Sequence, residues 1–272
     1  MKRSVRTLLT VVLAAVFLFS TGKYLLSQRE KAAGNSTYEE ALQLAASQKQ
    51  DSTQHTFASE PPAPEGEPQW VVARPDGEDP YIQALEELDL QALREVNPDV
   101  VGWILIPDTV INYPLMQGED NNYYLERTWD QKSNAMGSIF LEQLSSPDLT
   151  DPNTIIYGHN MNDGSMFACL RNYREQAFWD AHPYVYILSD FGVYRYEIFS
   201  SYVASIKSNT YGVEFPTESS WLRFLEKALE DSVIDTGVQP EPTDRVLTLS
   251  TCTGANRSAR WVVHARLKMV LE

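Results

Sequence analysis

The sequence predicts a mostly β fold: a closed or nearly closed β-barrel with helices at its N-terminal side and a helical insertion before the penultimate strand. Three observations predict it. Eight short runs rich in β-branched and aromatic residues fall at 101–106, 110–116, 138–141, 154–157, 184–188, 193–203, 245–251 and 260–269, separated by turn or helix signals. That many strands in so short a stretch suit a barrel better than an open sheet. Helical spacing of apolar residues appears ahead of the first strand and again between the sixth and seventh.

Taken in order, the chain starts with Lys2, Arg3 and Arg6 ahead of an apolar run from Leu8 to Phe19 that resumes at Tyr24, Leu25 and Leu26. Ser20-Thr21-Gly22-Lys23 offers no Ala-x-Ala cleavage site, so residues 1–27 are expected to form an uncleaved membrane anchor rather than a cleaved signal. The basic residues would stay inside, giving a single-pass protein of the cell membrane with the rest of the chain outside the cell. Residues 28–80, rich in Ser, Gln, Glu, Ala and Pro, are expected to be an extracellular stalk, with a short helix over 38–48 where Leu42, Ala45 and Ala46 share a face. The folded domain is expected over 81–272. Ile82, Leu85, Leu88, Leu90 and Leu93 predict a helix or helix pair ending before Asn97-Pro98. Within the strand-rich region, 166–173 and 175–181 read as short helices. Residues 219–229 read as a longer one, with Trp221, Leu222, Leu225 and Leu229 on one face.

Composition narrows the function. Lys plus Arg number 22 against 37 Asp plus Glu, a formal net charge of −15, so the chain lacks the basic balance of a nucleic-acid reader. The two cysteines, Cys169 and Cys252, cannot build a disulfide framework or a four-cysteine zinc site, and no metal-ligand cluster is evident; no cofactor is expected.

Each cysteine is therefore weighed singly. Alternation along 247–252 puts Leu247, Leu249 and Thr251 on the core face and Thr248, Ser250 and Cys252 on the polar one. Cys252 thus leaves a strand end away from the core, where a structural cysteine would not be placed. Cys169 lies in a short helix beside Phe167 and Leu170 and reads as core. In the last strand Trp261, Val263, Ala265, Leu267 and Met269 form the apolar face. Arg260, His264, Arg266 and Lys268 lie opposite, where only Val262 breaks the pattern. A hairpin through Gly254-Ala255-Asn256 would return Arg260 beside the thiol, where a guanidinium can stabilise a thiolate or an oxyanion. His159 follows an apolar strand at a Gly- and Asn-rich turn and can present its imidazole at a sheet edge. His55, His182 and His264 read as structural or solvated. Cysteine plus histidine is the minimum set for thiol acyl transfer.

These residues resemble class B sortases. The matching pieces are Thr-Leu-Ser-Thr-Cys at 248–252, Arg260 opening a terminal apolar strand, and Tyr157-Gly158-His159-Asn160-Met161 followed by Met166-Phe167. Asn97-Pro98-Asp99-Val100-Val101-Gly102-Trp103-Ile104 and Ile111-Asn112-Tyr113-Pro114-Leu115-Met116-Gln117, leading to Tyr123-Tyr124-Leu125, agree as well. The resemblance implies the sortase-type barrel, with Cys252 as nucleophile, His159 as general acid and base, and Arg260 as the anion-stabilising third residue. It also implies Asn112, Ser250 and Thr251 along the substrate groove. Arg257 is a second candidate for the arginine.

The resemblance further implies a cysteine transpeptidase that cleaves a C-terminal sorting signal of secreted surface proteins after Thr. The acyl group would pass to an amine of a cell-wall precursor or a pilin, and the signal would be of an Asn-Pro-x-Thr-like kind. Its rivals are an L,D-transpeptidase, which usually carries His-Gly-Cys where this chain has Ser250-Thr251-Cys252, another thiol peptidase, and a membrane-tethered binding module with a buried cysteine.

Overall fold

The computed structural model describes residues 2–47, 79–253 and 258–271. His55, Arg257 and the Gly254-Ala255-Asn256 hairpin lie outside them.

Helix α1 covers Lys2–Ser47, and two short helices follow, α2 (Pro80–Glu86) and α3 (Leu90–Val96). Asp79 caps α2 by accepting from the Tyr81 amide ahead of a Pro at the first helical position, and Asp89 caps α3 through the amides of Gln91 and Ala92. Eight strands follow: β1 (Val100–Leu105), β2 (Asn112–Met116), β3 (Ile139–Leu141), β4 (Asn153–Tyr157), β5 (Tyr184–Ser189), β6 (Gly192–Ser205), β7 (Val246–Cys252) and β8 (Ala259–Leu271). Each matches one of the eight apolar runs. Between them lie α4 (Gln176–Ala181), α5 (Glu218–Glu230) and 3₁₀ turns at Tyr123–Leu125, Ala168–Arg174 and Asn209–Tyr211.

The strands close into a barrel in the order β1-β2-β3-β4-β7-β8-β6-β5, so the predicted mostly β barrel with a helical insertion before the penultimate strand is what forms. Two pairs, β2 with β3 and β4 with β7, run parallel; the rest are antiparallel. Inward-facing Ile104, Leu115, Ile156, Leu247, Leu249 and Val263 are fully or almost fully buried in one cluster.

A second apolar cluster lies outside the barrel. Helix α5, started by a capping box between Thr217 and Ser220, lays Trp221, Phe224, Leu225 and Ala228 over the outer face of β6, β7 and β8. Val262, which broke the polar alternation of β8, packs there against Phe199, Tyr202 and Val246. The outer face of β7 is therefore not a solvated one: Thr248 and Ser250 are buried beneath the insertion.

The N-terminal expectation needs correction. Among the described residues no helix is long and apolar enough to cross a membrane. The apolar run is too short by itself, because Ser20, Thr21, Gly22 and Lys23 interrupt it and Gln28-Arg29-Glu30-Lys31 follow soon after. The expected single-pass anchor, with its membrane contact and cell-membrane localisation, is accordingly withdrawn. The C-terminal part of α1 instead packs on the barrel domain. Tyr38, Ala41 and Ala45 are buried, the Tyr38 ring meets Tyr113 edge-on at 5.2 Å, and its hydroxyl donates to the Gly137 carbonyl at 2.5 Å. The Trp129 indole donates back to the Thr37 carbonyl at 2.7 Å.

Candidate active site

Two stretches far apart in sequence, the end of β4 and the facing ends of β7 and β8, meet at one end of the barrel. Parallel pairing of β4 with β7 sets Tyr157 beside Ser250, and antiparallel pairing of β7 with β8 sets Cys252 directly across from Arg260. His159 lies two residues beyond the end of β4. Its turn is fastened to β7 by three hydrogen bonds: the Gly158 amide to the Ser250 carbonyl at 3.2 Å, the Thr251 hydroxyl to the Gly158 carbonyl at 2.8 Å, and the Asn160 side-chain amide to the Cys252 carbonyl at 2.8 Å. His159 and Cys252 thus belong to one rigid corner.

His159, Cys252 and Arg260 all line a cleft of about 300 Å³, together with Ser250, Thr251, Tyr157, Tyr211, Asn121, Leu125, Phe140, Gly158 and Ile206. Each of the three is partly exposed, as chemistry requires. His159 Nε2 stands 2.6 Å from the Leu125 carbonyl, which can only accept, so Nε2 carries a proton and donates it there. The backbone carbonyl thereby fixes the ring's orientation and tautomer.

The electrostatics converge on the same place. Burial pushes the Tyr157 and Tyr211 hydroxyls above their ordinary range, and the Glu142 carboxylate that accepts from Tyr157 at 2.7 Å pushes Tyr157 further. The Arg260 charge opposes both shifts, and the Cys252 thiol adds to that of Tyr211, so all of these groups sense one another across the cleft. Cys169 differs: burial raises its thiol to about 11 and it packs against the barrel core, which leaves it inert.

Five of the six residues singled out from sequence, His159, Cys252, Arg260, Ser250 and Thr251, lie on this cleft. Asn112 is not among its lining residues. It opens β2, and its side-chain oxygen accepts from the Trp103 indole at 2.6 Å, which ties it to the first hairpin instead. The asparagine on the cleft is Asn121, whose amide donates to Glu142 at 2.6 Å while its oxygen accepts from the Gln143 amide at 2.9 Å. Sequence reading also missed Leu125, Phe140, Ile206 and Tyr211 as wall residues. Only Tyr157 carried a signal, as the outward residue at the end of an apolar strand next to His159.

A family model described as the sortase domain matches residues 104–268. The chain belongs to the sortase family. Its relatives fix the class. It is 41% identical over 164 residues to sortase B of Listeria monocytogenes, covering 60% of this chain and 67% of that protein. With sortase B of Staphylococcus aureus the figures are 34% over 179 residues, 65% and 73%. Among solved structures, S. aureus sortase B superposes with a TM-score of 0.63 at 32% identity, covering 66% of this chain and 86% of that one. The S. aureus sortase B-substrate complex gives 0.62 at 33%, covering 65% and 83%. This class B sortase is a cysteine transpeptidase, and the L,D-transpeptidase, general thiol-peptidase and binding-module alternatives fall away.

Proposed function

We propose that Cys252, His159 and Arg260 carry the transpeptidation, acting on the C-terminal sorting signal of a secreted surface protein with cleavage after a threonine. The observation that carries this reading is the corner itself, with Cys252 paired across from Arg260 and tied through Asn160 to the turn bearing His159. The Cys252 sulfur attacks the threonine carbonyl carbon, and the developing oxyanion draws on the Arg260 guanidinium. His159 delivers a proton to the departing amine as the peptide C–N bond breaks, leaving a thioester on Cys252. It then takes a proton from the incoming amine, whose nitrogen attacks the thioester carbonyl. The C–S bond breaks, the thiol is restored and a new amide is formed.

The acceptor is proposed to be an amine of a cell-wall precursor or of a pilin, and the signal an Asn-Pro-x-Thr-like peptide. That the S. aureus neighbour was solved as a sortase B-substrate complex supports a substrate-binding role for this fold. Residues Ser250 and Thr251 would line the threonine end of the substrate groove, with Tyr157, Tyr211 and Asn121 as its walls.

The test is to incubate the protein with a panel of signal peptides and a small amine, and to identify products by mass. Wild type is expected to release the fragment after Thr and form the amide. Cys252→Ala is expected to abolish both, and Arg260→Ala to lower kcat by about 10²–10³, the usual cost of one oxyanion donor. Turnover retained by Cys252→Ala would overturn the assignment.

A further inference from the structure

Tyr211 reaches the cleft on an arm, the 3₁₀ turn Asn209–Tyr211, that belongs to no strand. Three successive residues of this arm are each bonded to the barrel. Tyr211 Oη lies 3.0 Å from Ser250 Oγ, and the side-chain amide of Asn153 donates to the carbonyls of Thr210 at 3.3 Å and Gly212 at 2.8 Å. The Thr210 hydroxyl lies 3.0 Å from the Tyr202 hydroxyl. Behind them His264 is completely buried on β8. Its Nε2 is 3.0 Å from Tyr202 Oη and its Nδ1 is 2.8 Å from Thr248 Oγ1, which itself donates to Asn153 Oδ1 at 2.6 Å.

The proton on every one of these atoms follows from donor and acceptor chemistry. Asn153 uses its NH₂ on two carbonyls, so its oxygen must accept, and Thr248 must spend its single proton there. Thr248 can then only accept from His264, which places a proton on Nδ1. Burial holds the imidazole neutral, its pKa lowered to about 3, so Nε2 has none and accepts from Tyr202. Tyr202, having donated, accepts from Thr210. The bonds run one way round, from Thr210 through Tyr202, His264, Thr248 and Asn153 back to the Thr210 carbonyl. Phe199 and Phe224 pack against the imidazole ring.

We propose that His264 is a positioning residue: through this closed ring of hydrogen bonds it locks the Thr210–Gly212 arm onto the barrel and so sets the Tyr211 wall against which the substrate peptide lies. The inference rests on the cleft being the peptide site proposed above. His264 touches no substrate; it acts through Tyr202 and Thr210. Nothing in the ring reaches the sulfur of Cys252, so the ring governs how peptide is received and not the reactivity of the thiol.

The test cuts the ring at its rim, because His264→Phe would also disturb the packing against α5. Thr210→Val is nearly isosteric and loses the hydroxyl, Tyr202→Phe removes the other hydroxyl, and Thr210→Ser restores the first. Both ring-cutting variants are expected to raise KM for a cleaved signal peptide about three- to tenfold. Their kcat and their rate of Cys252 alkylation by a small thiol reagent should stay within about twofold of wild type, and Thr210→Ser should match wild type. The Thr210→Val/Tyr202→Phe double variant is expected to be no worse than the worse single one, since both open the same ring. Unchanged KM in both variants, alongside an active wild type, would overturn the role of His264 alone. A wild type that processes no signal peptide would instead overturn the reading of the cleft, and this inference with it.

Discussion

At the scale of single residues the corner tolerates very little. Gly137 sits in the left-handed region at φ +61, and a Cβ there would stand 2.6 Å from the Leu125 carbonyl, 2.7 Å from that of Tyr124 and 2.9 Å from the His159 ring. The two nearest atoms are backbone, one of them the carbonyl that fixes the His159 tautomer, and they cannot swing aside. Gly137→Ala is therefore expected to lower kcat by at least about tenfold, the loss that a misplaced general acid–base produces. Cys252 alkylation should be nearly unchanged; equal loss of both would mean that the whole corner had collapsed. Asn112→Ala makes the opposite case. With Asn112 committed to the Trp103 indole, its loss is expected to lower unfolding stability by about 1 kcal/mol in a denaturant titration while leaving KM for peptide unaltered. Asn112 came from the family resemblance alone, and nothing in the sequence around Asn121 marks it as a cleft residue. Only the return of the 117–123 loop beneath Glu142 brings the latter to the cleft. Cys252 and Arg260 were legible because each stands near a strand terminus, where alternation states which way a side chain leaves the sheet, and His159 because it follows an apolar strand at a Gly- and Asn-rich turn.

At the scale of elements, runs of β-branched and aromatic residues between turn signals located all eight strands, and helical spacing of apolar residues located α2, α3 and α5. Alternation, read in the last two strands, reports which face of a strand is distinct, but not what covers it. The outer face of β7 and β8 was therefore read as the polar side open to solvent, and His264 as structural or solvated. Val262 was the one hint otherwise, an apolar residue waiting for α5. The arm at 209–212 has no periodicity at all, so its approach to the cleft could not be read. Phe224→Ala in α5 is expected to cost on the order of 3 kcal/mol, because Phe224 is buried between Trp221, Phe215 and His264 and leaves a cavity on truncation. Thermal or denaturant unfolding measures it; a change below 1 kcal/mol would mean that the helix covers the barrel only loosely.

For the molecule as a whole, the buried imidazole ties stability to pH. His264 binds no proton in the native state until its lowered pKa of about 3, whereas in the unfolded chain it titrates near about 6.5. The unfolded state therefore holds more protons between those values. The contribution of His264 is complete above pH 6.5 and declines as pH falls toward 3, by up to a few kcal/mol. Carboxylates also titrate in this window, so the measurement is a comparison. Unfolding free energies at several pH values should fall less steeply for His264→Gln than for wild type, and parallel curves would refute the linkage.

The place of β8 has a consequence for how the enzyme comes into being. It is the most C-terminal of the eight strands, yet it is an interior stave, hydrogen-bonded to β6 on one side and β7 on the other. A nascent chain carrying everything up to Cys252 still has a gap in its wall and no guanidinium opposite the sulfur. Closure of the wall and the placing of Arg260 across from Cys252 are thus one event, brought about by the last of the eight strands in chain order.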